Sequence, residues 1–174
     1  LKNNLIMKKF ILIFTLFILT IMSLKAQEYY WTSYSFNVDS EDTEIVAKLT
    51  NDYFSAENAK ADGVSVYLFE NHFHDSELSS SHEIVFAGTY DAMGNQYSQG
   101  ENPSWDLYLA KLGQYTKNFS AAAGRSVHSF GVPGTHPVQN LFWLKVNDAS
   151  TFAKGFNKYN SKHNPDDRRV TLGK

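Results

Sequence analysis

Apolar and polar positions alternate along much of the chain, and the period changes where the elements should change. Tyr30, Thr32, Tyr34, Phe36 and Val38 fall on one side of an extended segment and Trp31, Ser33, Ser35 and Asn37 on the other, which predicts a strand over 30–38. Ser40-Glu41-Asp42-Thr43-Glu44 then brings a capping residue and acids to a first helical turn, where unpaired N–H groups favour negative charge. Ile45, Val46, Leu49 and Tyr53 recur at helical spacing, so a helix is expected to about Ala61, stopped by Gly63. From Val64 the period returns to two. Val64, Val66, Leu68, Glu70, His72 and His74 share one face, and Ser65, Tyr67, Phe69, Asn71 and Phe73 the other. Both faces begin apolar, which predicts a central strand covered on both sides, paired with a second central strand from His82 to Thr89.

Asp91 to Pro103 is rich in Gly, Asn, Gln and Ser and is expected to be a loop; being long for a connection, it is a candidate to cover a pocket. Ser104 then caps a helix whose stripe of Trp105, Tyr108, Leu109, Leu112, Tyr115 and Phe119 faces the core, with Gly124 as its end and a short strand from Arg125 to Phe130. The order is βαββαβ, the ferredoxin-like order, over residues 28–131. Residues 132–139, with two prolines and one glycine, are a linker by composition. After it the pattern restarts: a strand from Leu141 to Val146, a helix capped by Asp148 or Ser150 and carrying Phe152, Phe156 and Tyr159, and a strand from Arg168 to Leu172. Tyr34 to Val38 matches Trp143 to Asn147, and Asn51-Asp52-Tyr53 matches Asn157-Lys158-Tyr159. Residues 140–174 are thus expected to open a second, truncated βαβ unit. By analogy with the first unit, the chain is a fragment of a protein with roughly 90 or fewer further residues.

An α+β chain with a βαββαβ unit followed by the start of another resembles the dimeric α/β-barrel superfamily, which includes antibiotic-biosynthesis-monooxygenase-like proteins and uncharacterised secreted relatives. The resemblance rests on element order and the repeat over residues 29–174, and no catalytic motif carries over. It implies two sheets packed face to face, as a homodimer or an intrachain pseudo-dimer, with helices outside and a cavity between the sheets. That superfamily holds cofactor-free oxygenases, haem-degrading and haem-dependent enzymes, isomerases and stress proteins, so membership implies a pocket more than a reaction.

The first residues change the picture of where the protein works. Met7 to Gln27 carries Lys8 and Lys9, an apolar run from Phe10 to Met22 and a small-residue exit at Ala26, the layout of a secretory signal peptide in residues 1–27. Cleavage is expected after Ala26 or Gln27, and residues 1–6 look like an upstream reading-frame extension. The apolar run is roughly 13 residues, short of the ~20 that span a bilayer, so no membrane anchor is expected after cleavage. The mature protein is then periplasmic or extracellular. Removing residues 1–27 takes four lysines and no acids from 16 basic and 18 acidic residues, which leaves a net charge of −6. A mildly acidic product has no basis for gripping phosphate backbones, so nucleic acid is not an expected partner. With no cysteine, disulfides, thiolate metal sites and cysteine nucleophiles are all excluded.

Two groups of residues are candidates for chemistry. His72, His74 and His82, with Glu70, lie at the expected rim of the two paired strands, and imidazoles two apart on a strand project together, as a divalent transition metal requires. The alternatives are a solvated loop base whose histidines bond to nearby acids or each other, and a proton-transfer role for one of them. Tyr67, Phe69 and Asn71 with Trp31, and His128 on the strand from Arg125, are candidates to line a cavity between two sheets, where aromatics with a few polar groups suit a small, largely apolar ligand. The alternative there is a packed core. Three functions follow as expectations: a small-ligand-binding protein, a metal-dependent oxygenase-type enzyme at His72, His74 and His82, and a non-catalytic envelope protein that associates with a second copy. Asn118-Phe119-Ser120 is also a glycosylation sequon.

Overall fold

The computed structural model describes residues 28–57, 59–73, 78–132, 138–163 and 168–174; the expected signal peptide, His74 and most of the expected linker lie outside them. Strand β1 (Tyr29–Val38) leads through a short 3-10 turn at Ser40–Asp42 into helix α1 (Thr43–Phe54). Gly63, at a φ of 79°, turns the chain into β2 (Ser65–Glu70). Strand β3 (His82–Thr89), helix α2 (Tyr90–Tyr97), helix α3 (Pro103–Leu112), strand β4 (Thr116–Phe130), helix α4 (Ala149–His163) and strand β5 (Val170–Gly173) complete it.

The strands form one five-stranded antiparallel sheet in the order β2-β3-β1-β4-β5. The first four strands and their helices have connectivity compatible with a ferredoxin-like fold. β1 holds the middle, pairing with β3 from Tyr29↔Thr89 to Phe36↔His82 and with β4 from Tyr30↔Arg125 to Val38↔Thr116. Helices α1, α2 and α3 cover one face, where Phe36 and Val46 are fully buried and Val64, Ile84, Phe86, Met93, Tyr108 and Leu112 close the core. Inside it the Thr50 and Tyr108 hydroxyls bond at 3.1 Å, so the buried phenol has the partner it needs.

Four expectations are corrected here. The strand after Gly63 is an edge strand that ends at Glu70, not a central one reaching His74. The β1-α1-β2 connection passes over β3, leaving β2 outside, and its Tyr67 is 40% exposed. Alternation reports which side chains share a face but not which strand lies next to which. The expected loop after Asp91 begins instead as α2, whose cap is Thr89: its Oγ1 accepts from Ala92 N at 3.2 Å.

The long helix expected from Ser104 to Gly124 is cut at Leu112, and its cap is Asn102, whose Oδ1 accepts from Ser104 N and Trp105 N. Ala121, Ala122 and Ala123 favour helix, yet they sit in β4 opposite Tyr34, Ser33 and Thr32. Pairing with the central strand overrides propensity, and small side chains leave room for the large ones beside them. A bulge in β4 opposite Phe36 puts Asn118 at a φ of 58°. Finally, Leu141–Val146 forms no strand, and Phe142 is 76% exposed.

The later elements follow the pattern more closely. Asp148 starts α4 by accepting from Thr151 N at 3.0 Å, and β5 pairs with the distal half of β4 through His128↔Leu172 and Phe130↔Val170. Gly124 is not a helix stop but a crossing point in β4. A Cβ there would lie 2.6 Å from the Trp31 ring and 2.4 Å from the Lys174 carbonyl oxygen, so only glycine lets Trp31 and the end of β5 close over the strand.

Candidate functional site

The two faces of β1 lead to two cavities. On the helix-covered face a cavity of about 190 Å³ opens between the sheet and the ends of α1, α2 and α3. Its walls are the rings of Tyr34, Tyr53, Phe86, Tyr97 and Trp105. The rings hold one another: Tyr53 meets Trp105 at 5.6 Å between centroids, and Phe86 meets Tyr97 at 6.4 Å and Tyr34 at 6.0 Å.

The polar groups of this cavity are uncharged. The Tyr97 hydroxyl bonds to Thr32 Oγ1 and lies 3.1 Å from the Tyr34 hydroxyl. Burial pushes its ionisation well above the ordinary tyrosine value, against a smaller opposing effect of the Thr32 bond. Burial raises Tyr53 in the same way, so both phenols remain neutral O–H groups at physiological pH. The Gln96 side-chain oxygen accepts from Ala61 N at 2.8 Å, which ties α2 to the turn before β2, and Asn102 is occupied as the cap of α3. Gln99, also in the lining, has no side-chain partner among the described residues. Aromatic walls, neutral donors and no charged lining group give this cavity an uncharged, ring-lined character.

The opposite face of the sheet carries a second cavity, of about 280 Å³, floored by Ser33, Ser35, Asn37 and Glu83 and bounded by Leu78–Ser80 and Trp143. Ser33 donates to Glu83 Oε1, and both side chains are buried, at 4% and 8% exposure. The wall is pinned: Asn71 donates through N to the Ser81 carbonyl at 2.8 Å and through Nδ2 to the Ser80 carbonyl at 3.0 Å. Ser81 N donates to Asn37 Oδ1 at 2.9 Å, and Ser81 Oγ accepts from Val38 N at 2.8 Å.

The residues singled out from sequence are distributed as follows. Trp31 lies on this second face and meets Trp143 edge to face at 6.5 Å, a positioning contact rather than a lining one. Tyr67 and Phe69 stack on each other at 6.0 Å on the edge strand and line neither cavity. Asn71 acts through the wall it pins, and His128 sits on the distal half of β4 across from Leu172.

Of the expected metal ligands, Glu70 and His82 are brought together as a cross-strand pair. His82 is 3% exposed and lies parallel to the Phe36 ring at 6.1 Å, with Ser81 Oγ 2.9 Å from its Nδ1. Burial holds its imidazole below the ordinary value, with Glu70 opposing. His72 is exposed beyond the end of β2, and His74 lies outside the described residues. Among the described residues no three metal-ligating side chains come together.

The helix-side cavity was legible only as a long connection expected to cover a pocket; which rings wall it was not. Tyr97-Ser98-Gln99 and Asn102-Pro103 sit in the stretch whose composition reads as a loop, whereas Trp105 was expected on the core stripe of the next helix.

No family model and no curated protein matches the chain. Among solved structures it is similar to the crystal structure of SnoaB, a cofactor-independent oxygenase from Streptomyces nogalater, at 16% identity and a TM-score of 0.37. That match covers 65% of this chain and 100% of SnoaB, and a likeness at this level says nothing about activity.

Proposed function

We propose that this chain belongs to an exported protein that binds a small, neutral, ring-containing ligand between its helices and its sheet. The observation that carries this reading is the cavity walled by Tyr34, Tyr53, Phe86, Tyr97 and Trp105, whose lining holds no charged side chain. Such a wall favours ring compounds through burial and edge-to-face contact, and the amide of Gln99 offers the polar end a partner. The proposed ligand site is thus on the helix side, whereas sequence led to a cavity between two sheets.

The test is a thermal-shift titration with 1-naphthol. Binding to the folded state raises Tm in a saturable way. Gln99→Ala, at an exposed position, weakens binding several-fold while leaving Tm of the free protein unchanged. No shift with 1-naphthol, or a shift untouched by both Gln99→Ala and Trp105→Leu, contradicts the reading. Export is tested by N-terminal sequencing of the protein recovered outside the cytoplasm: a start at Gln27 or Glu28 supports it, and a retained Met7 sinks it.

For the architecture we propose a tandem pseudo-dimer of the dimeric α/β-barrel type. The pairing of β5 with the distal half of β4 supports it, because β5 holds the place in residues 140–174 that β2 holds in the first unit. A second reading, association with another copy, is favoured by the exposed run from Leu141 to Leu144. Sedimentation over a range of concentrations separates the two, since only association makes the mass rise with concentration.

A further inference from the structure

We infer that the sheet face opposite the helices carries a second site, for a small primary ammonium ligand, with the Glu83 carboxylate as its counter-ion. Glu83 rises from the interior strand β3 into the 280 Å³ cavity, and its side chain is only 8% exposed. Among the described residues its single side-chain partner is Ser33, which donates to Oε1. One neutral hydroxyl is a poor complement for a carboxylate held away from water. Burying such a charge is unfavourable unless a cation or further donors meet it.

The rest of the lining says which cation fits. No Lys, Arg or His is among the lining residues, so the described protein supplies no counter-charge at the cavity. Ser35 and Ser120 add hydroxyl acceptors beside the carboxylate, which suits a group with several N–H donors. A divalent metal is a worse match, because one carboxylate with hydroxyls does not assemble the six to eight oxygen ligands that Ca²⁺ takes, and no metal-ligating trio is present among the described residues. Trp143 forms one boundary, and an indole at the boundary adds attraction for a cation seated against its ring. Trp31, edge-on to Trp143 at 63°, holds that ring in place. The wall at Leu78–Ser80, pinned by Asn71 and Asn37, shields the carboxylate from solvent. This site is separate from the helix-side cavity, so the two ligands do not compete.

The experiment is calorimetric titration of the full chain with ethanolamine at pH 7 and fixed ionic strength, with ethylene glycol as the uncharged counterpart. Saturable binding of ethanolamine is expected, at least about tenfold tighter than ethylene glycol, because a hydrogen bond to a charged group is worth more than a neutral one. Glu83→Gln removes that advantage, and Trp143→Leu, on a segment that is half exposed, weakens ethanolamine roughly two- to fivefold with circular dichroism unchanged. Should Glu83→Gln fail to fold, the Trp143→Leu result and the ethylene glycol ratio decide. Equal affinity for the two probes, no saturable binding, or ethanolamine binding unchanged in Trp143→Leu overturns the inference.

Discussion

The two faces of β1 differ in kind although one strand supplies both. Its even positions, from Tyr30 to Val38, enter a helix-covered layer of rings in which the polar atoms are neutral hydroxyls and amides. Its odd positions, Ser33, Ser35 and Asn37, face the other way and gather around a buried carboxylate. The same backbone thus presents an uncharged aromatic pocket on one side and a polar, negatively charged one on the other. Stability is concentrated on the first face, and the second is free to be polar because its residues carry little of the core.

The sharpest way to break that contrast is to truncate each face in turn. Phe36→Ala, at a fully buried ring, is expected to cost about 3–5 kcal/mol in urea unfolding. Ser35→Ala, one residue along and on the other side, is expected within about 0.5 kcal/mol. Comparable losses at both positions would mean that the opposite face is a second core. Next in size is Gly124→Val, which forces a side chain against Trp31 and the Lys174 carbonyl and is expected to cost about 1–3 kcal/mol. It should also release protection of the β5 amides in hydrogen exchange. Unchanged protection would show that Trp31 does not hold the sheet's far edge.

A smaller effect is expected for Asn71→Ala, about 1 kcal/mol, since it removes the side-chain bonds to Ser80 that pin the wall of the carboxylate cavity. It should weaken ethanolamine and leave 1-naphthol alone, and the reverse pattern would dissolve the separation of the two sites. The smallest is a pH effect at His82. Burial lowers its folded imidazole below the unfolded value of about 6.5, so between the two values the unfolded chain holds more protons and stability is lost as pH falls through that window. Glu70 opposes the shift. His82→Phe, which keeps the stack on Phe36, should flatten this part of the Tm profile between pH 7 and 5; an unchanged slope would assign it elsewhere.

Much of the fold was legible because it rests on period. The alternation of Tyr30–Val38, the helical spacing of Ile45, Val46 and Leu49, the apolar run after His82 and the cap at Asp148 each specify an element locally. Strand order is set by long-range pairing, and so the edge position of β2 and the early end of α3 escaped. The alanines of β4 follow the strand beside them rather than their own preference. The sites were less legible for the same reason. Ser33, Ser35 and Asn37 could be placed on a common face, but Glu83 joined them only through the Ser35↔Glu83 register of β1 and β3. Tyr97 comes from a region that composition marks as loop, and the capping oxygen of Thr89 turns its start into a helix; Trp105 was legible on the stripe of the next helix, whose cap is Asn102 rather than Ser104.

The most direct test of the helix-side pocket is residue-resolved NMR shift mapping of the full chain titrated with 1-naphthol. The expected result is saturable perturbation of the amides of Tyr34, Phe86, Tyr97, Gln99 and Trp105, with Ser33, Ser35 and Glu83 unmoved. Perturbations confined to the Ser33–Glu83 face, or none that saturate, would contradict a ring-binding pocket between helices and sheet.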